Sequence, residues 1–209
     1  MLVGYINLIP KIIHHVWLGP KPVPDQEQEF IESWKKLHPD YDFVMWNDSN
    51  IDRLEINDTC RKAMENAGGM YACQADIIRY IAVNKLGGVY IDTDVECYKN
   101  IDNLLTENLT FMALRPHAGN WVTNAFFAST PNHAILNSVI NNITDEKYHV
   151  KNPYGPVYLT RHLRSYLNYK EGEIHEVVCE DAKVLHFDFW SVNNKEAYCR
   201  HYFRASWRQ

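Results

Sequence analysis

The sequence predicts an α/β domain in which helices flank a mostly parallel sheet. Three observations predict it. Strand-like and helical patterns follow one another from Ile9 to Glu96 in the order strand, helix, strand, helix, helix, strand, as in a parallel sheet with crossover helices. Within that run, Ile77, Ile78, Ile81, Ala82 and Leu86 recur at helical spacing and give one apolar face for a sheet. Gly87-Gly88 then ends the helix directly ahead of the apolar run Val89-Tyr90-Ile91, because glycine takes the left-handed conformation of a helix cap at little cost.

Each element has a local reason. Ile9–Gly19 (IPKIIHHVWLG) is a buried strand followed by a loop, with Ile12, Ile13, Val16 and Trp17 bounded by Pro10 and Gly19. His14 and His15 belong to that strand and receive no role. Asp25 is placed to cap a helix from about Gln26 to Leu37, with Phe30, Trp34 and Leu37 on one face. Tyr41–Asn47 alternates like a strand, and a helix is expected across Asn50–Asn66. Beyond Glu96, strands are expected at Thr110–Leu114 and Asn124–Ala128, a helix opened by Pro131, a second helix over Val157–Leu167, and one or two strands in Glu176–Phe187. The tail, Tyr198–Trp207, is aromatic. There is no repeat, low-complexity tract or linker, so residues 1–209 are read as one domain, a length that suffices for a buried core.

Composition narrows the function. A net charge of -5 argues against a nucleic-acid partner, which calls for a basic patch. The five cysteines are scattered without a CxxC pair, so a zinc knuckle is not indicated and reduced thiols are expected. No stretch approaches the roughly 20 apolar residues of a membrane span, and MLVGYINLIPK lacks the basic head and apolar run of a signal peptide. The expectation is a cytoplasmic protein with room for peripheral contact with the inner face of a membrane.

The chemistry concentrates at Asp92-Thr93-Asp94. Two aspartates at i and i+2 past a buried strand bring hard oxygen ligands together, as Mg²⁺ or Mn²⁺ shared with substrate phosphates requires. By spacing alone, two solvated turn carboxylates are the better fit, since so short a motif often arises by chance. Asp76 and Arg79, three apart on the preceding helix, share a face, and an ordinary surface ion pair is the default for such a spacing.

Taken together, IPKIIHHVW, the A-x-x-A-D-I-I-R-Y helix, G-G-V-Y-I-D-T-D-V-E, Asn124 ahead of a strand, Gly155-Pro156 and the closing H-x-x-x-x-S-W resemble the D-x-D sugar transferases. That family includes fungal initiating α-1,6-mannosyltransferases and bacterial capsular polysaccharide glycosyltransferases, and is distantly similar to the glucosylating bacterial toxins. The resemblance implies a Rossmann-like GT-A nucleotide-diphospho-sugar transferase fold and a retaining reaction. It implies Mn²⁺ (or Mg²⁺) at Asp92, Asp94 and His201, with Asp94 as main ligand, although one of ten histidines in a chain is as readily a packed one. A UDP-sugar donor, ahead of GDP-mannose, would meet Trp17 at its base and Asp76, Arg79, Tyr90, Asp92 and Asn124 around ribose and sugar. Ser206 and Trp207 would close over the diphosphate. The acceptor would be a glycan, polysaccharide or glycolipid. Fungal relatives carry an amino-terminal anchor, whereas this chain starts at its first strand, which favours the bacterial or viral form. Leu185–Trp190 departs from the family pattern, on the acceptor side. A nucleotide-sugar hydrolase or a non-catalytic binding module is the alternative function.

Overall fold

Ile13 and Val16 are buried, and strand β1 (Ile12–Val16) forms around them. The computed structural model describes residues 8–115, 121–145, 153–168, 182–185 and 197–204. After β1 come α1 (Asp25–Leu37), β2 (Asp42–Trp46), α2 (Asp58–Asn66), α3 (Tyr71–Leu86), β3 (Gly88–Ile91), β4 (Val95–Cys97), β5 (Phe111–Leu114), β6 (Thr123–Ser129), α4 (Ala134–Asn141), α5 (Pro156–Tyr166), β7 (Ala182–Leu185) and β8 (Cys199–His201).

Among the described residues six strands form one sheet in the order β2-β1-β3-β6-β5-β7, and β4 pairs with β8 in a separate two-stranded sheet. β1 runs parallel to β2 and β3, and β7 parallel to β5; β6 runs against both of its neighbours. The sheet is therefore mostly parallel, as expected. Alternation along β1 divides the core. Val16 joins Trp46, Tyr90 and the residues of α3, α4 and α5 on one face. Ile13 joins Trp34, Val89 and Ile91 on the other, together with Val95, Cys97 and Cys199 of the small sheet.

α3 differs from the amphipathic helix the sequence suggests. Every residue from Asp76 to Val83 is buried, while Leu86, expected on the apolar face, is 36% exposed. The helix packs on β1, β3 and β6 with α2 and α4 at its other sides, so it has almost no solvent face. Its end is as expected: Gly87 and Gly88 have φ of 68° and 101°. A Cβ on Gly88 would lie 2.5 Å from the Ile12 carbonyl oxygen, so glycine here is what lets β3 approach β1.

Other expectations need correction. Asp25 lies inside the first turn of α1, with Pro24 in the capping position and no side-chain cap; its charge can still favour the helix N-terminus. The helix expected across 50–66 breaks after a 3₁₀ turn at Ile51–Leu54, where Glu55 adopts φ 54°, and restarts as α2 with Asn57 accepting from the Cys60 N–H. α4 begins after His133, whose ring accepts from the Ile135 N–H, rather than at Pro131. β4 was not expected at all.

Candidate active site

Two glycines and a strand deliver the central carboxylates. β3 ends at Ile91, and the Asp92 N–H donates to the Ala125 carbonyl at 2.9 Å, which fixes the start of the Asp92-Thr93-Asp94 turn at the carboxyl end of the strand. In open α/β sheets ligands gather at that edge. A cavity of about 270 Å³ opens there, lined by Trp17, Tyr71, Arg79, Tyr90, Asp92, Asp94, His201 and Phe203 among others.

Arg79 is the hub. Its Nη1 donates to Asp92 Oδ1 and to the Asn124 carbonyl, both at 2.9 Å. Its Nη2 lies 3.0 Å from Asp76 Oδ1, and the guanidinium sits 4.4 Å above the Tyr90 ring. This is a buried network, not the surface ion pair that spacing alone makes the default. Burial works against the charge on Arg79, but Asp92, Tyr90 and Asp76 outweigh it and raise its pKa further, so Arg79 is a permanent cation. Tyr90 donates its hydroxyl to Asp92 Oδ1 at 2.6 Å. Burial pushes that phenol well above its ordinary pKa, which keeps it a donor.

Asp94 is held from the far end of the chain. His201 Nε2 lies 3.0 Å from its Oδ1, and the Arg204 N–H donates to its Oδ2 at 2.8 Å. Burial alone would raise the Asp94 pKa; the bonds from His201 and Arg204 outweigh it and hold the carboxylate below its usual range. The register of β4 on β8, which sets Val95 opposite His201, carries that histidine to the aspartate turn.

The donor set fits a divalent cation. One atom each of Asp92, Asp94 and His201 lie within 4.8 Å of one another. Opposite ligands of an octahedral ion at ~2.1 Å stand ~4.2 Å apart, so small rotamer changes suffice. Two carboxylates and an imidazole are donors that a divalent cation accepts.

The structure thus brings Trp17, Arg79, Tyr90, Asp92, Asp94 and His201 to one cavity. Asp76 and Asn124 lie one layer behind, 3% and 5% exposed, with Asn124 Nδ2 donating to Asp76 Oδ1 at 2.7 Å. Ser206 and Trp207 lie outside the described residues. His14 and His15 are structural: His14 Nε2 bonds the Gly87 carbonyl and His15 Nδ1 the Ile91 carbonyl, each at 2.8 Å. Sequence analysis gave no role to Tyr71, which lines the cavity, to Arg204, whose backbone N–H holds Asp94, or to Glu27, whose buried carboxylate accepts from Arg204 Nε. Tyr71 follows the Gly68-Gly69 break, a signal that could have flagged it; the other two have no local signature.

Sheet order and site together define a GT-A sugar-transferase fold. A solved structure named PaToxG Glycosyltransferase superposes with a TM-score of 0.67 over 78% of this chain and 71% of that one, at 22% identity. Residues 24–111 match the family described as glycosyltransferase sugar-binding region containing DXD motif, and the resemblance read from the sequence therefore holds. An inositol phosphoceramide mannosyltransferase of Schizosaccharomyces pombe is 27% identical over 175 residues, 78% of this chain and 54% of that protein. An uncharacterized glycosyltransferase of Acanthamoeba polyphaga mimivirus is 26% identical over 187 residues, 86% of this chain and 73% of that protein. The chain spans about half the length of the fungal relative. Among the described residues no helix is long and apolar enough to cross a membrane.

Proposed function

We propose that this chain, as one catalytic domain, is a metal-dependent, retaining glycosyltransferase. It moves a hexose from a nucleotide-diphosphate sugar to a glycan, polysaccharide or glycolipid acceptor. The observation that carries this reading is the convergence of Asp92, Asp94 and His201 on the cavity that Trp17 and Arg79 also line. Asp94 and His201 would hold Mn²⁺ or Mg²⁺, with Asp92 contributing Oδ2 because Arg79 and Tyr90 hold its Oδ1. When bound, the ion neutralises charge on the diphosphate.

The chain's own residues do the rest. Trp17, its Nε1–H fixed on the Lys21 carbonyl at 2.8 Å, presents its ring to the nucleobase. Arg79, its guanidinium held by Asp92, Asp76 and the Asn124 carbonyl, presents a fixed positive charge to the phosphate and sugar oxygens. The family resemblance assigns Ser206 and Trp207 to the diphosphate. The acceptor oxygen forms its bond to the anomeric carbon as the bond to the leaving phosphate breaks. The hydroxyl proton passes to that phosphate oxygen on the same face, which retains configuration without a covalent intermediate. Catalysis then rests on positioning and on charge already in place.

UDP-hexoses are the first donors to test. The name of the fungal relative, an inositol phosphoceramide mannosyltransferase, makes GDP-mannose with a phosphoinositol lipid acceptor the specific second reading. The protein should be incubated with each donor, with Mn²⁺ or with EDTA, and released nucleotide and glycosylated product quantified. Turnover that needs the cation and falls at least 100-fold in Asp94→Ala is expected. Equal turnover in EDTA, or in that variant, overturns the proposal, and nucleotide release with no acceptor product identifies a hydrolase.

A further inference from the structure

Cys97 and Cys199 stand directly opposite each other where β4 pairs with β8. The bonds that bracket them fix the kind of pair. The Tyr98 N–H donates to the Tyr198 carbonyl on one side, and the Tyr202 N–H to the Asp94 carbonyl on the other. Hydrogen-bonded and non-hydrogen-bonded pairs alternate along an antiparallel ladder. Counting inward from either end makes Cys97 and Cys199 a non-hydrogen-bonded pair. The Cys97 N–H agrees, for it points away from β8 and donates to Ser33 Oγ of α1 at 2.8 Å. Cα atoms of such a pair lie ~4.5 Å apart with side chains at their closest, within the ~4.4–6.8 Å that a disulfide spans. Both side chains enter the same apolar cluster, and both are thiols in this structure.

We propose that Cys97 and Cys199 are a disulfide-forming pair, closed by exchange with a low-molecular-weight disulfide as the chain folds. One cysteine thiolate attacks a sulfur of oxidised glutathione and releases one glutathione thiolate. The second cysteine thiolate attacks the protein sulfur of that mixed disulfide and releases the other. Two protein thiols are oxidised, one glutathione disulfide is reduced to two thiols, and the two protein protons end on them. Both side chains are buried, and burial pushes the Cys97 thiol up to about 12. The closed sheet therefore reacts slowly, since the thiolate is the nucleophile, and exchange belongs to the open state of two three-residue strands. The bond ties β8, which ends at His201, to the strand that follows Asp94. It is independent of the sugar-transfer reading.

The full chain should be reduced, unfolded, and refolded either in a mixture of reduced and oxidised glutathione or in dithiothreitol. Intact mass, non-reducing peptide mapping and thermal melting follow. A loss of 2 Da, a joined peptide holding Cys97 and Cys199, and a melting point roughly 10 °C above the reduced form are expected, since the link closes a loop of about 100 residues. Cys199→Ser should lose all three. An unchanged mass, or a link joining other cysteines, overturns the proposal on wild-type protein alone, whether or not the variant folds.

Discussion

Arg204 Nε meets Glu27 Oε1 at 2.9 Å across 177 positions of sequence. The carboxylate is fully buried in α1, whereas the Arg204 side chain is 38% exposed. Beside it, Tyr202 stacks on Phe30 with ring centroids 4.6 Å apart. The end of the described chain is thus latched onto α1, and the same arginine gives its backbone N–H to Asp94. Arg204→Ala takes this cation from a buried carboxylate. It is expected to cost about 1–3 kcal/mol, below the usual cost of breaking a buried pair because one partner is half in solvent. Denaturant titration checks it, and pairing the change with Glu27→Leu should recover part of the loss.

Arg79 spreads one guanidinium over Asp76, Asp92 and the Asn124 carbonyl. A lysine ammonium cannot reproduce that planar fork. Arg79→Lys is expected to keep a native circular-dichroism spectrum while transfer falls at least 100-fold. A variant with near wild-type turnover would remove Arg79 from the catalytic centre.

The Tyr90 hydroxyl orients Asp92 from below. Outer groups of this kind tune metal affinity about 10–100-fold. Tyr90→Phe is therefore expected to weaken Mn²⁺ binding about tenfold, read by calorimetry, with little change in melting point without metal.

His14 and His15 are buried, and burial lowers their pKa values from 6.5 to about 4. Between pH 6.5 and 4 the unfolded chain binds more protons than the folded one. Their contribution is therefore fully present above pH 6.5 and is lost as pH falls towards 4. The loss is on the order of 3 kcal/mol for each histidine by pH 4. Urea midpoints should drop steadily from pH 7 to pH 4.5; a flat profile would show that neither ring is held neutral.

Gly88→Ala would push a Cβ to 2.5 Å from the Ile12 carbonyl, at φ 101°. Backbone, not a movable side chain, is in the way, so a loss of more than about 3 kcal/mol is expected. Little soluble protein should be recovered, and near-native melting would contradict the close approach of β3 to β1.

The segment from α3 to Asp94 was legible because its signals are local: apolar spacing, a glycine stop, a strand run, two acids. The burial of α3 was not, because Asp76 and Arg79 look like surface residues until Asn124 and Asp92 arrive from other strands. β4 has three residues, too few for a period, and its partner β8 lies some hundred positions on. Glu27 sits in the charged run DQEQEF and reads as one more solvated acid; its burial and its bond from Arg204 mark it out. Asp25 misled because a good capping residue follows a proline that already fixes the helix entry.

β1 lies between β2 and β3 in the sheet, yet it precedes the 24–111 stretch that carries the family match, and His201 comes long after it. That stretch is shorter than the unit that builds the sheet and the site. Excised alone, it would leave two strands lacking the neighbour they share and an aspartate turn lacking its imidazole. Anyone grafting this sugar-handling segment into another scaffold must bring both flanks along.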